Sequence, residues 1–249
     1  MNARYRIFLL FVAVVALASP RAQERSYTVV VNEWPPFRIL DPSKPYGRAG
    51  IDMDLLDALA EAMGVSFKVE IHPWARALEL IRQGGADIIM SIAQTAERAA
   101  YIQYPPISYM AVRPRLIVRV GMGASIRSYA DLAGKSIGQS VSSAYFEPYN
   151  SDKTLDKISL AGNAQILAML SLGRLDLAVG TDPNLSWEIA RLGYRGQFEF
   201  CAYQPPDATP LYLGLSRASG AAERAADFER AIRALIESGA VERILEKYR

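Results

Sequence analysis

The sequence predicts an α/β protein made of two successive units, and three observations predict it. β-rich runs alternate with segments of helical apolar spacing along most of the chain. A second series of such elements begins after Pro105. A composition of 51% hydrophobic and 22% charged residues over 249 positions is that of a folded globular chain, one large domain or two modest ones. In the first unit, Tyr27 to Val31 is a strand that ends at Asn32-Glu33-Trp34-Pro35-Pro36-Phe37, where two prolines force an extended loop carrying a tryptophan. Leu55, Leu56, Leu59, Ala62 and Met63 repeat at helical spacing and Gly64 closes that helix, with Asp52 as its expected N-cap. Val65 to Ile71 alternates as a strand, Ala75 to Arg82 is a short amphipathic helix, and Asp87 to Met90 is a buried strand.

The second unit opens with the extended piece Tyr109 to Val120, followed by a capped short helix from Ser128 to Ala133 and the strand Ser136 to Gly138. Ile158 to Leu160 is a strand, Asn163 to Leu172 a helix with Ile166, Leu167 and Leu170 on one side, Asp176 to Val179 a strand, and Asp182 to Leu192 a helix. The proline-rich stretch Gln204 to Pro210 interrupts the pattern, and Leu211 to Leu215 resumes a strand. The tail is helical, with Phe228, Ala231, Ile232, Leu235 and Ile236 in one apolar stripe, a break at Gly239, and Val241, Ile244, Leu245 and Tyr248 in a second; such stripes serve core packing. Open α/β sheets hold ligands beyond the carboxyl ends of their strands, so two such units place a crevice between them.

Arg4 and Arg6 precede the apolar run Ile7 to Ala18, small residues follow, and then the polar stretch Gln23 to Ser26. That is the layout of a secretory signal peptide, residues 1–22, cleaved after Ala18 or Ala22. A run from 7 to 18 is short of the roughly 20 residues a spanning helix needs. The chain has 28 Lys+Arg against 26 Asp+Glu, and Arg4, Arg6 and Arg21 lie in that leader, so the mature part is near neutral and lacks the basic patch that nucleic acid requires. One cysteine and one histidine, Cys201 and His72, exclude an intrachain disulfide and any multi-cysteine zinc site or His-rich metal cluster. Neither a metal nor a cofactor is expected. Cys201 is read as a buried small apolar residue, and His72, before Pro73, as structural or rim.

Several stretches in order resemble the bacterial extracellular solute-binding proteins of the polar amino-acid family, family 3. They are Asn32-Glu-Trp-Pro-Pro-Phe37, Gly50-Ile-Asp-Met-Asp-Leu-Leu56, Gly84-Gly-Ala-Asp-Ile-Ile89 with Thr95-Ala-Glu-Arg98, and Leu132-Ala-Gly-Lys-Ser-Ile-Gly138. Leu172-Gly-Arg-Leu-Asp-Leu-Ala178 and the ending Ser238 to Tyr248 are similar too. The resemblance implies the two-lobed periplasmic-binding-protein fold of type II, two α/β lobes joined by a two-strand hinge with the ligand cleft between them. Lobe 1 would be 23–112 plus 205–249 and lobe 2 would be 113–204, with crossings near Ala111 to Pro114 and Cys201 to Pro205. Closure about those crossings would trap a solute.

The resemblance maps a ligand-carboxylate contact onto Arg98, whose guanidinium fork matches two carboxylate oxygens; a surface pairing with Glu97 is the alternative. Trp34 and Trp74 fall where the family flanks its ligand with aromatic rings, which exclude water and attract cations. Ser91 matches a hydroxyl or backbone contact, and Ser142 and Ser143 match a contact loop at the start of a helix, where free N–H groups favour an anion; ordinary helix capping is the alternative. Two positions depart from the family. Ala93 stands where a Thr or Ser adds a hydroxyl to the carboxylate contact, and Thr181 where an Asp holds the α-ammonium. Losing a charged hydrogen bond costs about 1.5–3 kcal/mol, one to two decades of affinity. Either the neighbouring Asp182 reaches into the cleft or the ligand is not a standard α-amino acid; Asp182 before Pro183 is otherwise read as a helix cap. Glu33 and Arg76 add charge to the cleft, or else are solvated surface.

The function implied is a non-enzymatic, monomeric periplasmic protein that captures a small polar, amino-acid-like solute for an inner-membrane ABC permease. A ligand sensor for a membrane receptor is one alternative. An enzyme on the same fold, dehydratase-like on a cyclic acid with Glu33 or Asp182 as the titrating group, is the other. The sequence has no Ser-His-Asp set and no phosphate-cradling glycine loop, since Gly121-Met-Gly-Ala lacks the lysine and the helix that such a loop needs.

Overall fold

A computed structural model describes residues 25–248; the segment read as a signal peptide lies outside them. The order of elements is β1 (Ser26–Val31), β2 (Ile39–Leu40), β3 (Arg48–Ala49), α1 (Ile51–Met63), β4 (Ser66–Ile71), α2 (Trp74–Gln83), β5 (Ile88–Ala93), α3 (Ala96–Ala99), β6 (Ile102–Gln103) and β7 (Met110–Arg119). Then come β8 (Ser136–Ser140), β9 (Asp156–Leu160), α4 (Asn163–Ser171), β10 (Leu177–Asp182), α5 (Asn184–Arg191), β11 (Phe198–Phe200), β12 (Thr209–Ser216), α6 (Ala225–Glu237) and α7 (Ala240–Glu246).

One hydrogen-bonded path, β4-β1-β5-β12-β7-β10-β8-β9, runs through the whole molecule, with β6 beside β12 and β11 beside β7. β4, β1 and β5 are parallel at one end, and β10, β8 and β9 are parallel at the other. The middle is antiparallel. β7 uses Met110, Ala111 and Val112 against Leu211, Pro210 and Thr209 of β12, then uses Arg113 to Ile117 against β10. A single strand thus carries the chain from the first half-sheet to the second, and β12 lies beside its near end on the return.

Both faces of each half are covered, as parallel strands require, by helices on both sides of the first half and on one side of the second. Every residue of β5 is buried. On one face of the first half, Val29, Val31 and Met90 pack with Leu55, Leu56 and Leu59 of α1 and with Phe228 and Ile232 of α6; each such fully buried side chain is worth about 1.5–3 kcal/mol. On the other face Ala77, Leu78 and Ile81 of α2 meet Ile89 and Ile92. In the second half Leu116, Leu177 and Val179 join Tyr145, Phe146 and Tyr149 on one face, and Ile166, Leu167 and Leu170 of α4 join Leu185 of α5 on the other. Cys201 belongs to the first of these clusters and is buried, as its reading required.

The structure corrects several boundaries. The sequence places the start of α1 at an Asp52 cap, but the N-cap position is Gly50, and Asp52 sits in the first turn with its side chain wholly buried. The reason lies in the preceding loop: the N–H groups of Ile51 and Asp52 donate to the carbonyls of Pro36 and Phe37, so the backbone satisfies the helix end. Gly50 has φ +120°, and a Cβ there would lie 2.3 Å from the Phe37 carbonyl oxygen. Asp182 ends β10, pairing with Arg113 of β7, and α5 begins at Asn184, later than expected; the Asp182 side chain nevertheless caps that helix, accepting from the Ser186 N–H of its first turn at 3.2 Å. Residues 129–132 form a 3-10 turn closed by a Ser128–Asp131 capping box.

Candidate functional site

A cavity of about 560 Å³ lies between the two half-sheets, walled from the first half by Glu33, Trp34, Trp74 and Arg98 and from the second by Ser143, Asn163, Thr181 and Asn184. Its tryptophan loop is held from below. Trp34 and Arg38 exchange backbone hydrogen bonds of 3.0 Å, and the Trp34 ring stacks on Phe37 with centroids 4.1 Å apart. Arg38 then turns inward, 2% exposed, to pair with Asp52; its Nε donates to the Asn32 carbonyl at 2.8 Å and its Nη2 to Asn32 Oδ1 at 3.0 Å. The Asp52 carboxylate also accepts from Ser91 Oγ at 2.5 Å, and Tyr109 Oη accepts from the Ser91 N–H at 2.7 Å. Burial pushes the Asp52 carboxyl up, while Arg38 and the Ser91 hydroxyl pull it down. Four buried polar side chains thus satisfy one another beneath the cavity. Ser91 lines the cavity, but its hydroxyl is committed to Asp52.

Arg98 is delivered by α3, whose first turn is capped by Thr95: Oγ1 accepts from the Arg98 N–H at 3.2 Å. The side chain is 5% exposed. Nη1 donates to the Ala93 carbonyl at 2.9 Å, Nη2 donates to the Ser142 carbonyl at 2.8 Å, and the guanidinium carbon lies 5.6 Å from the centre of the Trp74 ring. Trp74 Nε1 donates to the same Ser142 carbonyl at 3.1 Å. A backbone oxygen of the second half is therefore gripped by two donors of the first. Desolvation lowers the Arg98 pKa, with Tyr104, Tyr101 and Glu97 acting against it.

On the second wall Thr181 lies one residue before the end of β10, at 9% exposure. Asn184, in the first turn of α5, donates from Nδ2 to the Pro35 carbonyl at 2.6 Å and accepts from Asn163 Nδ2 at 2.6 Å. This hydrogen bond also crosses the cavity, from α5 to the tryptophan loop. One turn further, Glu188 is 7% exposed and paired with Arg191 at 2.7 Å.

Trp34, Trp74, Ser91, Arg98, Ser143, Thr181 and Glu33 are thus brought to one cavity, and three other expected positions are corrected. Asp182 does not line it: its carboxylate accepts from Arg115 Nε at 3.1 Å and from the Ser186 N–H and hydroxyl at 3.2 and 2.7 Å, because the pleat that turns Thr181 inward turns its neighbour outward. Arg76 is exposed on α2, off the cavity. Ser142 takes part through its carbonyl, and no helix starts at Ser142 or Ser143; the chain there is a turn with Ser142 at φ +58°. Tyr145, Phe146 and Tyr149 of the following stretch pack into the core of the second half. Residues 161–165 at the start of α4 line the cavity instead.

Asn32, Arg38, Asn163, Asn184 and Glu188 also line the cavity, beyond the positions to which the sequence points. Apolar periodicity says nothing of a polar residue on a buried face. The signal available was the i, i+4 spacing of Asn184 and Glu188 on a short helix that follows a strand end.

The sequence model of the bacterial extracellular solute-binding proteins, family 3, matches residues 27–249. The chain belongs to that family. No protein with a curated description matches it in sequence. Among solved structures it is similar to a histidine kinase sensor domain resembling periplasmic binding proteins, at 22% identity and TM-score 0.79, over 92% of this chain and 97% of that one. It is also similar to an amino acid ABC transporter substrate-binding protein of Streptococcus pneumoniae bound to L-arginine, at 19% identity and TM-score 0.73, over 90% and 94% of the two chains. The GluR0 ligand-binding core of Nostoc punctiforme in complex with L-glutamate matches at 20% identity and TM-score 0.73, over 89% and 98%. These likenesses show the fold, the two-lobed type II periplasmic-binding-protein architecture, of which the family 3 chain described here is an example.

Proposed function

We propose that this family 3 protein captures a small polar carboxylate, amino-acid-like in size, and hands it to an inner-membrane ABC permease from the periplasm, acting as a monomer and without catalysis. The observation that carries the reading is Arg98: a guanidinium at 5% exposure in a cavity of about 560 Å³, whose hydrogen bonds go to the Ala93 and Ser142 carbonyl oxygens. A carboxylate oxygen is a stronger acceptor than a carbonyl for such a donor, so a ligand gains by replacing the Ser142 oxygen. Lobe 1 comprises 23–112 and 205–249 and lobe 2 comprises 113–204; closure turns about β7 near Val112 and about the return before Thr209, where the strand pairing changes partners.

The cavity's titratable groups support binding without turnover. Glu33 is exposed, Glu188 is held by Arg191, and His72 stands 3.5 Å from Glu70. None is poised against a nucleophile. Among the described residues no helix is long and apolar enough to cross a membrane, and no group of His, Cys, Asp and Glu could hold a metal ion. The likeness to a histidine kinase sensor domain favours a second reading, in which the closed form is reported to a membrane receptor.

A thermal-shift series over small carboxylates tests the binding reading. A ligand at about 100 times its Kd adds about 2.7 kcal/mol and raises Tm, and no shift with any carboxylate overturns it. Affinity capture from solubilised membranes with the ligand-loaded protein separates the partners: a permease supports transport, a receptor supports sensing. Incubation with cyclic hydroxy acids should yield no product.

A further inference from the structure

Among the described residues the buried charges around the cavity are matched, with one exception, and that exception describes the ligand. Arg38 is paired with Asp52, Glu188 with Arg191, and His72 stands beside Glu70. Glu33 is exposed at the cavity's edge. Arg98 is buried, and its hydrogen bonds go to two uncharged carbonyl oxygens. An arginine keeps its proton throughout the physiological range, so the cavity wall holds one desolvated positive charge in want of an anion.

An α-amino acid brings an ammonium group one carbon away from its carboxylate, and that ammonium needs an anion of its own. The facing wall supplies none. Ser143, Thr181, Asn163 and Gln165 are neutral hydrogen-bonding groups. Glu188, the carboxylate on that wall, is already held by a guanidinium three residues along the same helix, at 2.7 Å. A ligand ammonium would have to compete with Arg191 for it, reach out to Glu33 at the solvent-exposed edge, where water screens the attraction, or settle for neutral acceptors, which are about tenfold or more poorer for a charged donor. A hydroxyl, keto or amide group at the same place matches Ser143, Thr181 and Asn163 without stranding a charge.

We propose that the cavity selects monocarboxylates with an uncharged polar body over the corresponding α-amino acids. The proposal rests on the carboxylate-binding reading given above and adds the identity of the second group. The ligand carboxylate neutralises Arg98, and the group on its α-carbon is uncharged.

Isothermal titration of the mature chain tests it with matched pairs, glycerate against L-serine and 3-phenyllactate against L-phenylalanine, extended to the keto and amide analogues, in wild type, Arg98→Ala and Thr181→Asp. The expected result is that the hydroxy acid of a binding pair is at least tenfold tighter, that Arg98→Ala abolishes the binding, and that Thr181→Asp, with a wild-type-like melting curve, moves the preference towards the amino acid. An Arg98-dependent preference for the amino acid in the wild type overturns this proposal and leaves the carboxylate reading standing. No binding by any of these acids, or binding that survives Arg98→Ala, overturns both. The wild-type comparison decides the matter even if Thr181→Asp does not fold.

Discussion

Arg38 and Arg98 are both buried arginines of the first half, and their surroundings assign them opposite roles. Arg38 has an ionic partner and four further acceptor contacts or stacking neighbours around it, so it is structural. Replacing Arg38 with Met strands the Asp52 carboxylate in the core, and we expect a loss of about 3–5 kcal/mol, read from urea unfolding. Arg98→Ala removes two hydrogen bonds to carbonyls and no ion pair, so its main effect should fall on ligand affinity rather than on fold. The expected outcome is native circular dichroism with at least a hundredfold weaker binding. Cys201 makes a third residue-scale case: burial pushes its thiol up to about 11. A raised thiol pKa means less thiolate at pH 8, so the native protein should react with a disulfide reagent far more slowly than the urea-unfolded chain does. Fast native labelling would contradict that burial.

At the scale of elements, the strand and helix series was legible because apolar spacing dictates it: β5, α4, α6 and α7 lie where their stripes put them. What escaped was governed by contacts between distant segments. Asp52 reads as a cap in sequence, since nothing local reveals that the Pro36 and Phe37 carbonyls will meet the N–H groups of α1. The 141–149 stretch follows a strand as a helix commonly does, yet its aromatic side chains are claimed by the core. Arg98, Trp34 and Trp74 were legible only through the family resemblance, whereas Asn184 left no more than its i, i+4 spacing to Glu188. The close approach at Gly50 offers a test: Gly50→Ala places a methyl 2.3 Å from the Phe37 oxygen at φ +120°. The expected cost is about 2 kcal/mol or more, with Trp34 fluorescence altered. In the second half, side-chain and backbone hydrogen bonds from Thr154 hold the Asp152 carboxyl at about 2, against an ordinary 3.8, and Asp131 and Asp176 are lowered by similar donors. Groups depressed on folding stabilise the native state above their unfolded pKa, and that contribution fades as pH falls from about 4 to about 2. A falling Tm over that window, steeper than in Asp152→Asn, is the expected reading.

At the scale of the molecule, the two halves meet through β7, β12 and a few hydrogen bonds across the cavity: Arg98 and Trp74 to the Ser142 carbonyl, Asn184 to the Pro35 carbonyl, and Thr209 Oγ1 to the Tyr145 carbonyl at 2.7 Å. So few contacts leave closure finely balanced, and a bound solute adds to the closed side only. Asn184→Ala removes one neutral hydrogen bond across the cavity, of about 1 kcal/mol, besides one to Asn163 within the second half, and the loss across the cavity is enough to shift an open–closed ratio about fivefold. Its ligand-free radius of gyration in solution scattering should exceed the wild type's and return to it on saturation. The account rests on a ligand carboxylate taking the place of the Ser142 oxygen on Arg98, and a crystal structure of the protein grown with the carboxylate that raises Tm most tests this directly. Carboxylate oxygens are expected about 2.7–2.9 Å from the Arg98 guanidinium nitrogens, with the Ser142 carbonyl displaced. A ligand bound elsewhere, with Arg98 still on Ser142, would contradict it.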